Sequence, residues 1–148
     1  MNKIGFNLLA WSASLGEDFY PHIERLSRTG YDILEFAMGN RDPQAYKALG
    51  KLLNDLGMEA TAVTVLPPEA NPVSPDAAVR QKAIDLLKVD IDMAADTGAR
   101  ILCGPIHSAV ATFSSYSPQD EEVAYSAEVL RAAGEHAEQA DMNLEAVP

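Results

Sequence analysis

Cysteine is almost absent from this chain. Cys103 stands alone among 148 residues, so no internal disulfide can form, and a reducing compartment fits. Basic residues are scarce too: 11 Lys and Arg face 22 Asp and Glu, for a formal net charge of −11. Nucleic-acid binding needs clustered Lys and Arg to neutralise phosphates, and anionic membranes attract the same residues, so both partners are disfavoured. With only 3 histidines, His107 has no second His or Cys at ligand spacing. The first strand–helix loop lacks a glycine-rich phosphate cradle of dinucleotide or P-loop type. No Ser-His-Asp or Cys-His signature occurs at a telling spacing.

Long hydrophobic runs are missing as well. The uncharged stretch from Ile101 to Gln119 is interrupted by Gly104, Pro105, His107 and several serines, which makes it a poor membrane span. Ile4 to Leu15 follows Lys3 but is broken by Gly5, Asn7, Ser12 and Ser14, with no small-x-small cleavage site after it. It reads as a first strand and its loop, not a signal peptide. The expected location is cytoplasmic.

What is present is a repeated alternation of strand and helix. Strands are expected at Ile4 to Leu9, Ile33 to Ala37, Glu59 to Val65, Ile101 to Cys103 and Asn143 to Pro148. The first helix runs from about Asp18 to Thr29, with Phe19, Ile23 and Leu26 on one stripe. Asp42 and Pro43 form an N-cap and N1 pair for the second, striped by Ala45, Leu49, Leu52, Leu53 and Leu56. Ser74-Pro75 opens the third, with Val79, Ala83, Leu86, Leu87 and Ile91 on a face. Ser117 with Asp120 resembles a capping box for the fourth, which runs to about Ala140. Gly30, Gly57 and Gly98 supply stops.

Sustained strand–helix alternation implies a parallel α/β sheet with right-handed crossovers. Two architectures fit. One is an open doubly wound sheet, favoured by length alone. The other is the first half of an eight-stranded barrel, which normally closes with about 250 residues. In both, function gathers at the C-terminal ends of the strands, where Asn7, Glu35, Val65, His107 with Ser108, and Glu145 fall. Glu145, flanked by Leu144 and Val147, is the central candidate, because a buried carboxylate needs a partner or a cation. Two carboxylates and a histidine on one face can hold a divalent cation or move protons. Bland readings stand beside these. Glu35 can serve by bonding loop amides, and a lone strand cysteine such as Cys103 is usually core. Trp11 reads as packing or as the wall of a sugar pocket, and His22 and His136 as surface groups on helices. Asp90, Asp92 and Asp96 read as a solvated acidic patch.

Several stretches together resemble one family. They are Asn2 to Trp11, Tyr31 to Glu35, Gly104-Pro105-Ile106-His107-Ser108, Val129 to Ala137, and Leu144-Glu145-Ala146-Val147. The family is the ketose 3-epimerases (D-tagatose and D-psicose, or allulose, 3-epimerases) among the xylose-isomerase-like barrels. The resemblance implies the N-terminal half of a (β/α)₈ barrel, with five parallel strands and four helices in a single domain over residues 1–148, ending after strand five. It also implies a Mn²⁺, Mg²⁺ or Co²⁺ site and two catalytic glutamates acting on a small ketose. Glu145 matches the first glutamate, both metal ligand and acid/base, while Asn7, Val65, His107, Ser108 and Val110 fall near positions that shape the sugar pocket.

The chain departs from the family where the strand-five motif continues as Asn-Arg-Phe-Glu, since Pro148 takes the Asn place. An Asp, a His and the second Glu are drawn in the family from later strands. C3 epimerisation needs two opposed bases, and a metal held by one carboxylate binds weakly, so one copy of this chain is not expected to be a competent epimerase. Hydroxypyruvate- or inosose-type enzymes of the same superfamily are rivals, whereas an abasic-site endonuclease wants a basic face. A rival of another class is a non-catalytic half-barrel that acts in binding or assembly. Its open edges and apolar interior are expected to drive self-association or homo-oligomerisation.

Overall fold

The computed structural model describes residues 2–112 and 117–147. Its strands are β1 (Gly5–Asn7), β2 (Ile33–Ala37), β3 (Glu59–Val63), β4 (Ile101–Gly104) and β5 (Asn143–Ala146). Four helices alternate with them: α1 (Tyr20–Arg28), α2 (Pro43–Leu56), α3 (Ala77–Asp96) and α4 (Asp120–Gln139). All neighbouring strands pair in parallel, in the order β1-β2-β3-β4-β5.

That order decides between the two architectures. A doubly wound sheet reverses its strand order at a switch point and buries both faces. Here the order never reverses, and burial alternates along β2, β3 and β4. Leu34, Phe36, Ala62 and Leu102 are fully buried on one face, while Glu35, Thr61 and Cys103 on the other are partly open. The buried face meets Ile23, Leu49, Leu53, Leu87, Ile91 and Val129 from the helices. The chain is half of a (β/α)₈ barrel, with helices outside and an uncovered inner face.

Local chemistry sets most element ends. The Asp42 side chain accepts from the Gln44 amide at 3.0 Å and starts α2, and Tyr46 takes the centre of its buried stripe with Leu49 and Leu53. β1 is shorter than its apolar run because Asn7 accepts from the Leu9 amide at 2.8 Å and turns the chain into a 3-10 turn, Leu8–Ala10. β3 stops at Val63, two residues short of expectation. α3 begins not at Ser74-Pro75 but at Ala77, capped by Asp76, which accepts from the Ala78 amide at 2.8 Å. α4 has its capping box at Gln119 and Glu122, not at Ser117 and Asp120. Glu122 at the third helical position reaches back to the Gln119 amide at 2.9 Å, whereas Asp120 is already the first helical residue. Residues 113–116 of the preceding loop and Pro148 at the family's Asn place lie outside the described residues. Among the described residues, no helix is long and apolar enough to cross a membrane.

Candidate active site at the C-terminal rim

The inner face carries the polar side chains. Asn7, Glu35 and Thr61 share one register row, and Val63, Cys103 and Glu145 share another. Glu35 accepts from Asn7 Nδ2 at 2.6 Å and Thr61 Oγ1 at 3.3 Å, with Cys103 Sγ at 4.0 Å. Its partners are therefore strand side chains, not the loop amides expected for it. Cys103 lies on this inner face between Glu35 and Glu145 instead of in the core. Burial first, then the two carboxylates, push its thiol above the usual range. A protonated, half-buried thiol is a poor nucleophile. Glu145 stands beside it in register and exposed.

Above this face the loops after β3 and β4 run together. Val110 donates its amide to the Leu66 carbonyl at 2.9 Å, and Leu66 and Ala109 form a parallel bridge. Leu66, Ile106 and Ala109 are buried beneath, which leaves Val65 and Val110 on the outside, 47% and 49% exposed. His107 is exposed and Ser108 half-buried on the same segment, whose course is fixed where Ser126 Oγ donates to the His107 carbonyl at 2.7 Å. Val65, His107, Ser108 and Val110 thus form one rim group, and Asn7, Glu35, Cys103 and Glu145 form an inner-face group. Asn7 is already engaged twice, by Glu35 and by the Leu9 amide, so one N–H and one lone pair remain for a ligand.

Three other expectations are resolved. Trp11 packs on Phe6 with ring centroids 4.4 Å apart. Phe6 is paired with Leu34 on the helix-facing side, and Trp11 packs on it while staying 48% exposed. Its other neighbour is the exposed His22, at 5.5 Å. The acidic patch on α3 is corrected at Asp90, which is completely buried. Arg41 grips it through Nε at 2.8 Å and Nη2 at 3.1 Å, and Thr64 Oγ1 donates at 2.6 Å. Burial pushes its carboxyl upward, and Arg41 and Thr64 pull against that. The signal was present in the sequence: Asp90 continues the stripe of Ala83 and Leu87 at helical spacing. Asp92 meets His136 at 2.7 Å and Asp96 lies 3.8 Å from Lys47, both at the surface. Buried Asn71 is a second residue that the sequence reading missed. Among the described residues, no cluster of three His, Cys, Asp or Glu side chains is placed to hold a metal ion.

Comparison with known proteins converges on one family. The family model described as xylose isomerase-like TIM barrel matches residues 23–148. The L-ribulose 3-epimerase of Mesorhizobium japonicum is 27% identical over 141 residues, covering 90% of this chain and 48% of that protein. A solved structure of L-ribulose 3-epimerase superposes with a TM-score of 0.84 at 26% identity, over 97% of this chain and 48% of the other. A crystal structure of D-psicose 3-epimerase in the presence of D-fructose shares the fold, with a TM-score of 0.84 at 23% identity over 97% of this chain and 51% of the other. The chain spans about half the length of these relatives.

Proposed function

Because this chain belongs to the xylose isomerase-like TIM barrel family, we propose that it supplies the first five strands of a sugar epimerase or isomerase, one that inverts ketoses, ketohexoses foremost, at C3. One observation carries the reading. Glu145 stands exposed on the inner face that also bears Asn7, below a rim formed by Val65, His107, Ser108 and Val110.

The chemistry follows from the substrate class. A ketose with its carbonyl at C2 and a hydroxyl at C3 has an acidic C3 proton, because the electron pair left behind delocalises onto the C2 oxygen. Glu145 takes that proton, and a proton returned to the opposite face of the enediolate completes the inversion. One carboxylate reaches one face only. Glu35 is held by Asn7, Thr61 and Cys103, and Glu59 pairs with Lys3, so neither is free to act as the opposing base. A divalent cation, Mn²⁺ or else Mg²⁺ or Co²⁺, belongs to the same reading and would polarise the C2 oxygen. Glu145 suits it as one ligand, but a single carboxylate holds such an ion weakly. The described residues do not by themselves make that site, and the proton transfer stands on Glu145. The same reading takes residues 1–148 as one domain in a cytoplasmic protein, with free β1 and β5 edges through which copies of the chain associate.

The test is a chimera in which this chain is continued by the second half of the M. japonicum L-ribulose 3-epimerase. With L-ribulose and Mn²⁺ it is expected to form the C3 epimer, and Glu145→Gln is expected to lower the rate about 10²- to 10⁴-fold. The chain alone is expected to yield no epimer. A chimera indifferent to Glu145→Gln, or inversion by the chain alone, overturns the reading.

A further inference from the structure

The loops at the C-terminal ends of the strands are joined one to the next by side chains. Asn40, after β2, donates its amide to the Leu15 carbonyl after β1 at 3.0 Å. Beside it Gly39 lies so close to the Ala13 backbone that any Cβ would collide with it. The Tyr46 hydroxyl donates to the Asn40 side chain and the Ala37 carbonyl, both at 3.3 Å, which fixes that amide from below. Arg41 then crosses to Asp90, and Asp90 accepts from Thr64 at the exit of β3. From there Asn71 Oδ1 accepts from the Ala109 amide at 3.0 Å and from the Val73 amide at 3.3 Å, joining the loops after β3 and β4. Ser126 holds the far end through the His107 carbonyl.

These contacts make two stapled loop pairs, β1 with β2 and β3 with β4. The side-chain link between the pairs is Asp90, beside one backbone bond from the Met38 amide after β2 to the Val63 carbonyl at 2.9 Å. Removing a wholly buried carboxylate from water is expensive, and replacing a buried ion pair with apolar groups of similar volume is often neutral or stabilising. What the charge adds here is geometry. The two planar forks of Arg41 and Asp90 fix distance and angle together, and Thr64 adds a second bond to Oδ2, the oxygen that Arg41 Nη2 also holds.

We infer that Asp90 is a positioning residue that couples the two loop pairs, so the four loops open and close as a single rim. The inference rests on the reading above only in taking that rim as the mouth of the ketose pocket. It sets Asn7, at the β1 exit, in fixed relation to Val65, His107 and Val110 without touching a ligand.

Site-resolved amide hydrogen exchange on the whole chain tests this without any sugar. The variants are Asp90→Asn and the apolar pair Arg41→Met with Asp90→Leu, the second keeping the layer filled if the first leaves Arg41 unpartnered. In the parent, the Met38, Thr64, Ala109 and Val110 amides are expected to exchange at one common opening rate. In the variants, Ala109 and Val110, which do not touch Asp90, are expected to exchange at least tenfold faster, with Leu34 and Ala62 in the strands within twofold of the parent. Acceleration of every amide by one factor would make Asp90 a plain stability group. Acceleration confined to Met38 and Thr64 would make it a local brace. Either result overturns the coupling, and neither bears on the ketose reading, which the chimera decides on its own.

Discussion

The two ends of the sheet are built in opposite ways. At the N-terminal ends of the strands the side-chain links lie on exposed residues: the ion pairs Lys3 with Glu59 and Arg100 with Asp141, and the Asp32 carboxylate, which accepts from the Ile4 amide at 2.8 Å. Short backbone bonds do the joining there, such as Asp32 to the Ile4 carbonyl and Asn143 to the Arg100 carbonyl, both at 2.8 Å. At the C-terminal rim the links centre on buried groups, although Asn40 is exposed and Arg41 half-buried. Of the buried polar residues Thr64, Asn71, Asp90, Thr97 and Ser126, all but Thr97 serve the rim. Exposed pairs in water are worth little, and buried polar groups impose strict geometry because an unmet partner is costly. The floor therefore needs only to close, while the rim is held to one shape, as expected of the end that carries function in barrel enzymes.

The sharpest way to break this contrast is at Gly104. Its backbone sits at φ +150°, and a Cβ there would strike the Thr64 carbonyl oxygen. Gly104→Val is expected to cost about 3 kcal/mol or more, as strained backbone and overpacking combine. Urea denaturation followed by circular dichroism measures it, and a loss under about 1 kcal/mol would mean that the β3 and β4 loops need not approach so closely. Next in size is Ser126→Ala, which leaves the His107 carbonyl without its 2.7 Å donor. About 1 kcal/mol is expected in the same experiment. If the loss is negligible, the far end of the rim is held by backbone alone.

The sequence was informative where one residue decides one element. Asp42-Pro43 opens α2 as its residue types require, and the alternation of strand and helix gave the order of elements without a structure. Asn7, Glu35, Val65, His107, Ser108 and Glu145 fall at strand exits in the sequence pattern itself, whereas Val110 came only from the family resemblance. The links between loops were not legible in this way. Asp90 and Arg41 are 49 residues apart, and Asn71 and Ala109 are 38 apart, so no local pattern connects them. Asp90 was misread as solvated because charge was weighed above helical spacing. Glu35 was known to lie at a strand end, but its choice of Asn7 and Thr61 over loop amides depends on the register of three strands.

A smaller effect sharpens the inner face itself. The Cys103 thiol is held up by burial first, and then by Glu35 and Glu145. For an acid raised on folding, the native chain keeps its proton longer than the unfolded chain. The contribution to stability is therefore intact below the ordinary thiol value and is lost as pH rises through the folded one. Cys103→Ser should accordingly flatten the alkaline limb of a stability–pH curve. Glu35→Gln removes one of the two charges, so iodoacetamide should label Cys103 at mildly alkaline pH roughly threefold faster. An unchanged or slower rate would mean that Glu35 does not bear on the thiol.

The smallest expected change is at the floor, and its smallness is the point. Asp141 is 86% exposed and its partner Arg100 is 69% exposed, so water and salt screen whatever attraction they share. Asp141→Asn should leave stability within about 0.5 kcal/mol of the parent, and raising the salt concentration should not widen the difference. Asp141 also sits at φ +56°, a conformation that Asn tolerates as well as Asp, so the substitution isolates the charge from the backbone. A loss comparable to that of Ser126→Ala would show that the floor, too, is held by its side chains. The division of labour between a floor that merely closes and a rim held to one geometry would then have to be given up.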